Sequence, residues 1–427
     1  MGNSRRRLLG LGLAGVILTV AAGCGSSGGS SSGGGSGAKV NVPNLSASAF
    51  NVDFTEMQKL KGLASEGKGM IGVLLPDTTS SARYVEFDAP YLKDAFQAAG
   101  LNSSEYKIDN AQGSTSTMQQ QAEADITAGA SVLLVDPLDP GSGAAIESNA
   151  ESKGVKVIDY DRLVTGGPAD RYYVSFNNVQ VGKLIGQGEV SCIQSWGVKN
   201  PNILVMDGDP TDNNAKLFAQ GYNGVLAPHF ADNSYVKVGE PAGTWDPPTA
   251  ATTFEQQFTA HKNINAVITP NDDNANAVIS VLQKDKIPPK TFPTTGQDAS
   301  PSGLQNILKG YQCGTVYKPI YEEAQAAAAL ALYLRAGLKP PSTLVNSETM
   351  DTTLNKNIAS VYTVPHWVTT SNMASTVVKD KAVQVSQLCA GAALQKACQA
   401  AGISCESGLA RRAAPAGGPA LRRVRPR

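Results

Sequence analysis

The sequence predicts an α/β fold of parallel sheets covered by helices, divided into two domains. Short, continuously apolar segments of strand length alternate with amphipathic segments of helix length from about Met70 onwards. Strands that are apolar throughout are typical of parallel sheets buried between helices. The chain has 427 residues, which exceeds the usual size of one hydrophobic core, so two domains are expected.

The predicted strands and helices follow one another in a regular order. The strands cover residues 71–75, 131–135, 155–160, 172–176, 203–206, 235–238, 264–269 and 315–317. The helices include residues 118–127, 179–193, 215–226, 275–284 and 322–335. These strands are too many for one small sheet, which again indicates two domains.

The first residues have the pattern of a lipoprotein signal peptide. Arg5 to Arg7 precede an apolar stretch too short to span a bilayer, and Ala21-Ala22-Gly23-Cys24 follows. Residues 1–24 are therefore the expected signal peptide, with Cys24 as the lipidated N-terminus, carrying palmitate and holding the protein on the outer face of the cell membrane. The arginine run also leaves export in the folded state open. Residues 25–67 are expected to form a tether, because residues 25–38 are nearly all Gly and Ser.

The overall charge gives no reason to expect nucleic acid or an anionic membrane surface as a partner. Lys plus Arg and Asp plus Glu both number 36. The exception is the end of the chain, where residues 407–427 contain six arginines and no acidic residue. Residues 386–427 are expected to be a largely disordered extension. Attachment of this tail to an anionic surface is the functional alternative.

Cysteine usage fits an oxidising compartment. Apart from Cys24 there are five cysteines, an odd number, so at least one thiol is expected to be unpaired. Their spacing does not resemble a zinc site, and no metal is expected. A local disulfide between Cys389 and Cys398 is possible, and the pairing of Cys192, Cys313 and Cys405 is left open.

Polar side chains follow the predicted strands at the points where a binding cleft would open. Parallel sheets place their ligands beyond the carboxyl ends of the strands. The candidate binding residues at or near these ends are Arg83, Tyr84, Asp161, Arg162, Asp212, Asn214, Trp245, Asn271, Asp298 and Lys318. Structural roles are the alternatives: Asp212, Asn213 and Asp273 could cap helices, Asp161 and Arg162 could form an ion pair, and Trp245 could cover a loop.

The chemistry of these residues favours binding over catalysis. The sequence has no nucleophile elbow, metalloprotease motif or phosphate-binding loop, and the histidines follow no strand end. The first strand lacks the Gly-rich turn of a dinucleotide site, so no cofactor is expected. Carboxylates, cations and amides together suit a neutral, hydroxyl-rich ligand, because each hydroxyl both donates and accepts. Tyr84 and Trp245 offer aromatic faces to a sugar ring.

Two other functions remain open from the residues alone. Mixed charges also suit an amino acid or a small zwitterion. Two carboxylates in one cleft are also the minimum for a tethered glycoside hydrolase.

Several motifs resemble the D-xylose-binding proteins, which belong to the ribose/galactose-type periplasmic binding proteins of sugar ABC transporters. They are Tyr160-Asp161-Arg162, Tyr173-Val174-Ser175-Phe176-Asn177-Asn178 with Val181-Gly182, Asp212-Asn213-Asn214-Ala215-Lys216-Leu217-Phe218, Thr295-Gly296-Gln297-Asp298-Ala299 and Gly314-Thr315-Val316-Tyr317-Lys318-Pro319. The likeness runs from about Gly69 to Val385 with the motifs in the same order. Asn110-Ala111-Gln112-Gly113 and Asp207-Gly208-Asp209 depart from the family pattern.

The resemblance implies a type I periplasmic binding protein with two Rossmann-like lobes joined by a three-strand hinge. Residues 68–176 plus 319–344 would form the N-terminal lobe, and residues 177–318 plus 345–385 the C-terminal lobe. The crossings would fall near Phe176-Asn177, Lys318-Pro319 and Leu344-Val345. Nine of the ten candidate residues match the family's sugar contacts, and Tyr84 stands where the family usually has tryptophan or another aromatic residue. The implied function is that of a monomer that captures a monosaccharide, D-xylose foremost, by hinge closure and delivers it to an ABC permease.

Overall fold

The computed structural model describes residues 42–405, so Cys24, the Gly/Ser tract and the arginine-rich tail lie outside the described residues. Twelve strands are found in this part of the chain: β1 Met70–Leu75, β2 Tyr106–Asn110, β3 Ala130–Val135, β4 Lys156–Tyr160, β5 Tyr172–Phe176, β6 Asn202–Val205, β7 Val236–Gly239, β8 Ala266–Ile268, β9 Thr315–Tyr317, β10 Ser347–Asp351, β11 Lys356–Thr363 and β12 His366–Val368. Each of the eight predicted strands corresponds to one of these.

Thirteen α-helices accompany the strands in the same described residues. They are α1 Thr55–Gln58, α2 Lys61–Glu66, α3 Ala89–Ala98, α4 Thr115–Thr127, α5 Pro140–Ser152, α6 Asn178–Ser195, α7 Asn213–Ala231, α8 Pro247–Ala260, α9 Asp272–Lys284, α10 Pro301–Lys309, α11 Ile320–Arg335, α12 Val385–Leu388 and α13 Ala392–Ala400. A π-helical turn, Tyr84–Asp88, leads into α3.

The first lobe is built on a seven-stranded sheet. Its strand order is β10-β11-β5-β4-β3-β1-β2, and every neighbouring pair is parallel except β10 with β11. The central strands are buried throughout because helices cover both faces, as the continuous apolar runs of β1 and β3 indicate. Since the parallel strands share one direction, the residues that follow β1, β3 and β4 meet at one edge of the sheet.

The second lobe contains a parallel sheet in the order β7-β6-β8 and an antiparallel pair, β9 with β12. Isolated bridges from Val267 to Thr294 and from Gln297 to Val316 connect the two. A disulfide joins Cys192 in α6 to Cys313 just before β9. The loops after β6 and β8, and the segment before α10, point their polar residues towards the first lobe.

Within residues 42–405, the chain passes between the lobes at three places. It leaves the first sheet after Phe176 and returns from β9 to α11 through Lys318 and Pro319. The expected third crossing near Leu344-Val345 is wrong, because residues 345–363 stay in the first lobe. There β11 pairs in parallel with β5, and β10 pairs with β11. The crossing lies between Thr363 and His366.

The expected tether is also wrong over residues 42–67, which form α1, α2 and a short 3₁₀ helix packed on the first lobe. Their apolar side chains join the lobe's core, and they include Leu45, Phe50, Met57, Leu60 and Leu63. Polar contacts fix the segment: Gln325 Nε2 donates to the carbonyl oxygen of Asn51 at 2.9 Å. The Gly/Ser composition that indicated a tether ends before this segment begins.

Residues 386–405 are ordered against the second lobe, contrary to the expected disorder. A disulfide between Cys389 and Cys398 joins the start of this segment to α13, and Leu388, Cys398 and Ile403 are buried in a cluster with α10. Among the described cysteines, Cys405 is the unpaired thiol, in agreement with the odd count. Between residues 42 and 405, no helix has the length and apolar character needed to cross a membrane.

Candidate functional site

A cavity lies between the two lobes where their polar strand-end residues meet. It encloses about 290 Å³ of space free of protein atoms, part of it open to solvent. All ten candidate residues of the sequence line it. The full set is Ser80, Ser81, Arg83, Tyr84, Asp161, Arg162, Asp212, Asn214, Phe218, Trp245, Asn271, Gln297, Asp298 and Lys318.

Arg83 enters the site from the turn that precedes α3, where a widened π-helical segment begins. Its guanidinium is buried and contacts three carboxylates. Nε and Nη2 donate to Asp88 at 2.8 and 2.7 Å, Nη2 donates to Glu323 at 2.6 Å, and Nη1 donates to Asp161 at 2.6 Å. Four of its five N–H groups are therefore used by described residues, and one N–H of Nη1 is left for a ligand.

Asp161 and Asp298 occupy equivalent positions in the two lobes. Each has a positive φ, 57° and 89°, which is rare outside glycine, although Asp tolerates it better than most residues. Each backbone N–H donates to the neighbouring strand, from Asp161 to Val174 and from Asp298 to Val316. Held in this way, both residues turn their carboxylates into the cavity. Strained backbone of this kind is concentrated at functional sites.

Lys318 connects these two carboxylates. Its Nζ lies 3.0 Å from Oδ1 of Asp298 and 4.0 Å from Oδ1 of Asp161, and it is 3% exposed. Burial would raise the pKa of Asp161, but Arg83 and then Lys318 and Arg162 outweigh it, so the pKa of Asp161 is lowered. Asp161 is therefore ionised and can accept hydrogen bonds only.

Arg162, Asp212 and Trp245 form a second group of connected side chains in the cavity lining. Arg162 Nε lies 3.5 Å from Oδ2 of Asp212, and Trp245 Nε1 donates to the same oxygen at 3.0 Å. Asp212 also caps α7, since its Oδ1 accepts from the N–H of Asn214 at 2.8 Å. Asp212 is thus both the expected cap and a cavity residue. Gly208 is needed beside the indole, because a Cβ there would lie 2.2 Å from the Trp245 ring.

Two asparagine amides also line the cavity from the second lobe. Asn214 Nδ2 donates to the carbonyl oxygen of Asp161 at 2.8 Å, and Asn271 Nδ2 donates to that of Ser80 at 3.0 Å. Asn271 also caps α9 by accepting from the N–H of Asn274. The expectation that Asp273 caps this helix is wrong, because Asn271 holds that position. Each Nδ2 keeps one further N–H for a ligand.

Tyr84 is present but does not offer a free stacking face of the expected kind. Its ring centroid lies 5.6 Å from the Arg83 guanidinium carbon and 5.5 Å from that of Arg162. Its hydroxyl donates to Asp161 Oδ2 at 3.0 Å. Tyr84 therefore holds the charged side chains in place, whereas the half-buried Trp245 and the buried Phe218 are the other aromatic residues that line the cavity.

Four lining residues were missed by the sequence analysis: Ser80, Ser81, Phe218 and Gln297. Ser81 Oγ donates to Asp298 Oδ2 at 2.7 Å across the lobes. Gln297 is 3% exposed, and its Oε1 has no hydrogen-bond partner among the described residues. Gln297 and Phe218 lie within motifs of the family resemblance but were not chosen as candidates, whereas the serines belong to a loop whose path no pattern gave.

The cavity has a balanced charge. Arg83, Arg162 and Lys318 face Asp161, Asp212 and Asp298, so three cations meet three carboxylates. Each cation already lies against a carboxylate of the protein. No described residue in the lining offers a free cation to an anionic ligand, while N–H groups and carboxylate oxygens remain for hydroxyls.

Known proteins resemble this chain in sequence and in fold. Residues 71–339 match the periplasmic binding protein domain. The chain is 34% identical over 286 residues to the D-xylose-binding periplasmic protein of Escherichia coli (strain K12), covering 66% of this chain and 82% of that protein. It is 31% identical over 333 residues to a multiple sugar-binding periplasmic protein of Azospirillum brasilense, covering 74% and 89%.

A solved structure of a carbohydrate-binding protein has a similar fold. The carbohydrate transporter solute binding protein of Chloroflexus aurantiacus, in complex with D-glucose, superposes with a TM-score of 0.65 at 27% identity. The match covers 74% of this chain and 97% of that one. The relatives are solute-binding proteins rather than enzymes.

Proposed function

Because the chain belongs to the periplasmic binding protein family, among the sugar-binding proteins that serve ABC transporters, we propose that it captures an aldose, D-xylose foremost, between its lobes. The observation that carries the proposal is the convergence of Arg83, Asp161, Arg162, Asp298 and Lys318 on one small cavity. Five further lining residues are proposed as contacts: Tyr84, Asp212, Asn214, Trp245 and Asn271.

The balanced charge favours a neutral ligand over the amino acid or zwitterion that the sequence left open. A ligand carboxylate would have to displace a protein carboxylate from Arg162 or Lys318, leaving that group buried and unpaired. Breaking a buried pair in this way costs about 3 to 5 kcal/mol. A sugar hydroxyl instead accepts the remaining N–H of Arg83 and donates to Asp161 or Asp298 without separating any ion pair.

The proposed discrimination among aldoses comes from the same groups. A hydroxyl that is missing or inverted leaves a buried donor or acceptor unpaired, which costs about 1 to 3 kcal/mol. The named ligands of the relatives differ: D-xylose for one, several sugars for another, and D-glucose in the solved complex. D-xylose is preferred here because the relative named for it has the highest identity among these three.

Capture is proposed to proceed by hinge closure. The lining residues other than Trp245 are buried, with Arg162 7% and Asp298 6% exposed, so a sugar enters only when the lobes separate. Closing brings together Arg162 with Asp212, and Asn214 with the carbonyl oxygen of Asp161. A ligand that bridges the lobes stabilises this closed arrangement over the open one, which is the condition for closure on binding.

Attachment to the membrane is proposed from the sequence alone. Cys24 would carry the lipid, and the Gly/Ser residues after it would let the protein reach a permease in the same membrane. Labelling of cells with a palmitate analogue, followed by purification of the wild type and C24S, tests this. We expect label on the wild type alone.

Isothermal titration calorimetry with a panel of aldoses tests the proposed ligand class. The protein is first unfolded, dialysed and refolded, so that any sugar carried through purification is removed. We expect micromolar or tighter binding of D-xylose, weaker binding of epimers, and no heat with amino acids. The matched variant is R162M, which keeps an unbranched apolar stem but removes the guanidinium and its charge. An absence of heat with every pentose and hexose contradicts the proposal.

A further inference from the structure

The loop that joins β1 to the π-helical turn contacts the second lobe through three consecutive residues. This cleft loop comprises residues 77–83. The carbonyl oxygen of Ser80 accepts from Asn271 Nδ2 at 3.0 Å, Ser81 Oγ donates to Asp298 Oδ2 at 2.7 Å, and the N–H of Ala82 donates to Asp273 Oδ2 at 2.9 Å.

The contact made by Asp273 differs from the other two. Asn271 and Asp298 line the cavity, so their bonds to the cleft loop belong to the proposed sugar site. Asp273 and Ala82 do not line it. Their bond joins the lobes at the rim of the cleft, outside the space that a sugar would fill.

The local structure explains why Asp273 is free to reach across. Asn271 caps α9, so the carboxylate of Asp273, in the first turn, is not needed for the cap. The cleft loop is itself rigid on its own side, since Asp77 Oδ1 accepts from the N–H groups of Thr79 and Ser80 at 2.8 and 2.7 Å. The N–H of Ala82 therefore meets Asp273 from a fixed position.

The surroundings of Asp273 disfavour the charged form of its carboxyl group. Burial under the loop raises the pKa of Asp273 to about 6, and the charges of Asp298 and Glu86 add to the rise. The bond to Ala82 acts in the opposite direction. Asp273 is half-buried here, and its bond to Ala82 needs both lobes, so its effect depends on closure.

We infer that Asp273 is a positioning residue that holds the cleft loop against the second lobe after closure, and so sets how long the protein retains its ligand without touching it. This role rests on the proposed capture of an aldose. Because the bond between Asp273 and Ala82 lies outside the cavity, its loss lowers the affinity for every ligand by the same factor. A direct sugar contact would instead change the order of preference among sugars.

The test measures the dissociation rate of D-xylose by stopped-flow fluorescence for the wild type, D273A and D273N. Loss of a hydrogen bond to a charged group corresponds to an increase in dissociation rate of about tenfold or more. Because Asp273 is partly exposed, we expect D273A to release D-xylose about fivefold to twentyfold faster than the wild type. We expect the rate of D273N to fall between those of the wild type and D273A, because its amide oxygen still accepts from Ala82 but carries no charge. Association rates and the affinity ratio of D-xylose to D-glucose stay unchanged in both variants.

The control is K381A, which removes the exposed ion pair between Lys381 and Asp53, also an interlobe contact, at 3.0 Å. An exposed pair of this kind contributes little, so we expect less than a twofold change. An unchanged dissociation rate in D273A, or a changed sugar preference, overturns the inference while the proposed function stands. A wild type that binds no aldose overturns both.

Discussion

The carboxylates of Asp161 and Asp298, one from each lobe, face the same ammonium group, with Lys318 Nζ 4.0 Å from the first and 3.0 Å from the second. Lys318 itself directly follows β9, in the segment that crosses between the lobes. The hinge thus supplies the cation that allows two carboxylates to be buried at one cavity. A sugar placed between them would find acceptors on both sides.

Replacement of Lys318 by Met is expected to destabilise the protein by about 3 kcal/mol and to abolish sugar binding, because Asp298 loses its buried partner. Urea unfolding and calorimetry measure the two effects. The double variant D298N/K318M should recover part of the stability but none of the binding, since it removes the unpaired charge and the ligand contacts together. Additive losses of stability in the double variant would contradict a direct pair.

Gln297 is expected to be a sugar contact that the sequence analysis missed. Its Oε1 is buried at the cavity without a partner among the described residues, while its Nε2 donates to the carbonyl oxygen of Pro270. Q297M should lower the affinity about tenfold, the effect of one lost hydrogen bond in a buried site. The matched control is Q325M, because Gln325 is equally buried, also has a free Oε1, and lies away from the cavity. Equal affinities in Q297M and the wild type would exclude the contact.

Trp245 should report ligand binding through its fluorescence. The chain has three tryptophans, and Trp245 is the one that lines the cavity, with its Nε1–H bonded to Asp212. We expect the fluorescence change on adding D-xylose to disappear in W245F and to persist in W196F and W367F. W245F should also bind about tenfold more weakly, since Asp212 loses a donor. A change that persists undiminished in W245F would place the ligand elsewhere.

The stability of the protein should depend on pH through Glu322. Burial raises the pKa of Glu322 from 4.5 to about 7, and the charge of Asp380 adds to the rise. The folded state therefore binds the Glu322 proton more tightly than the unfolded state does. The contribution of this proton to folding stability is complete below about pH 4.5 and is lost as the pH rises through 7.

The variant E322Q cannot lose this proton, so its stability relative to the wild type should increase between pH 5 and pH 8, by on the order of 2 kcal/mol. Urea unfolding at both pH values measures the difference. The control E66Q alters an exposed glutamate and should show no such trend. A constant difference between E322Q and the wild type across this range would refute the prediction.

The sequence located the ten candidate residues because parallel strands carry their polar ends to one edge. Asp161 after β4, Asn271 after β8 and Lys318 after β9 could each be read from an apolar run that stops at a polar residue. That the two lobes bring these ends together followed from the family resemblance rather than from any local pattern. What each side chain contacts, such as the three carboxylates around Arg83, could not be read at all.

The errors have identifiable physical causes. Strands β10 and β11 are partly polar, because β10 lies at the edge of the sheet, so they lack the apolar run by which the other strands were found. Residues 42–67 were assigned by the composition of their Gly/Ser neighbours, although Met57, Leu60 and Leu63 have the spacing of a buried helical face. Ser80 and Ser81 became cavity residues through a loop conformation that depends on Asp77.

The most direct test of a sugar held between the lobes is a crystal structure of the protein grown with D-xylose. We expect one pyranose in the interlobe cavity, with hydroxyls within hydrogen-bond distance of Asp161 on one side and Asp298 on the other, and the Trp245 ring against its C–H face. A cavity that stays empty at saturating sugar, or a sugar bound to one lobe only, would contradict the account.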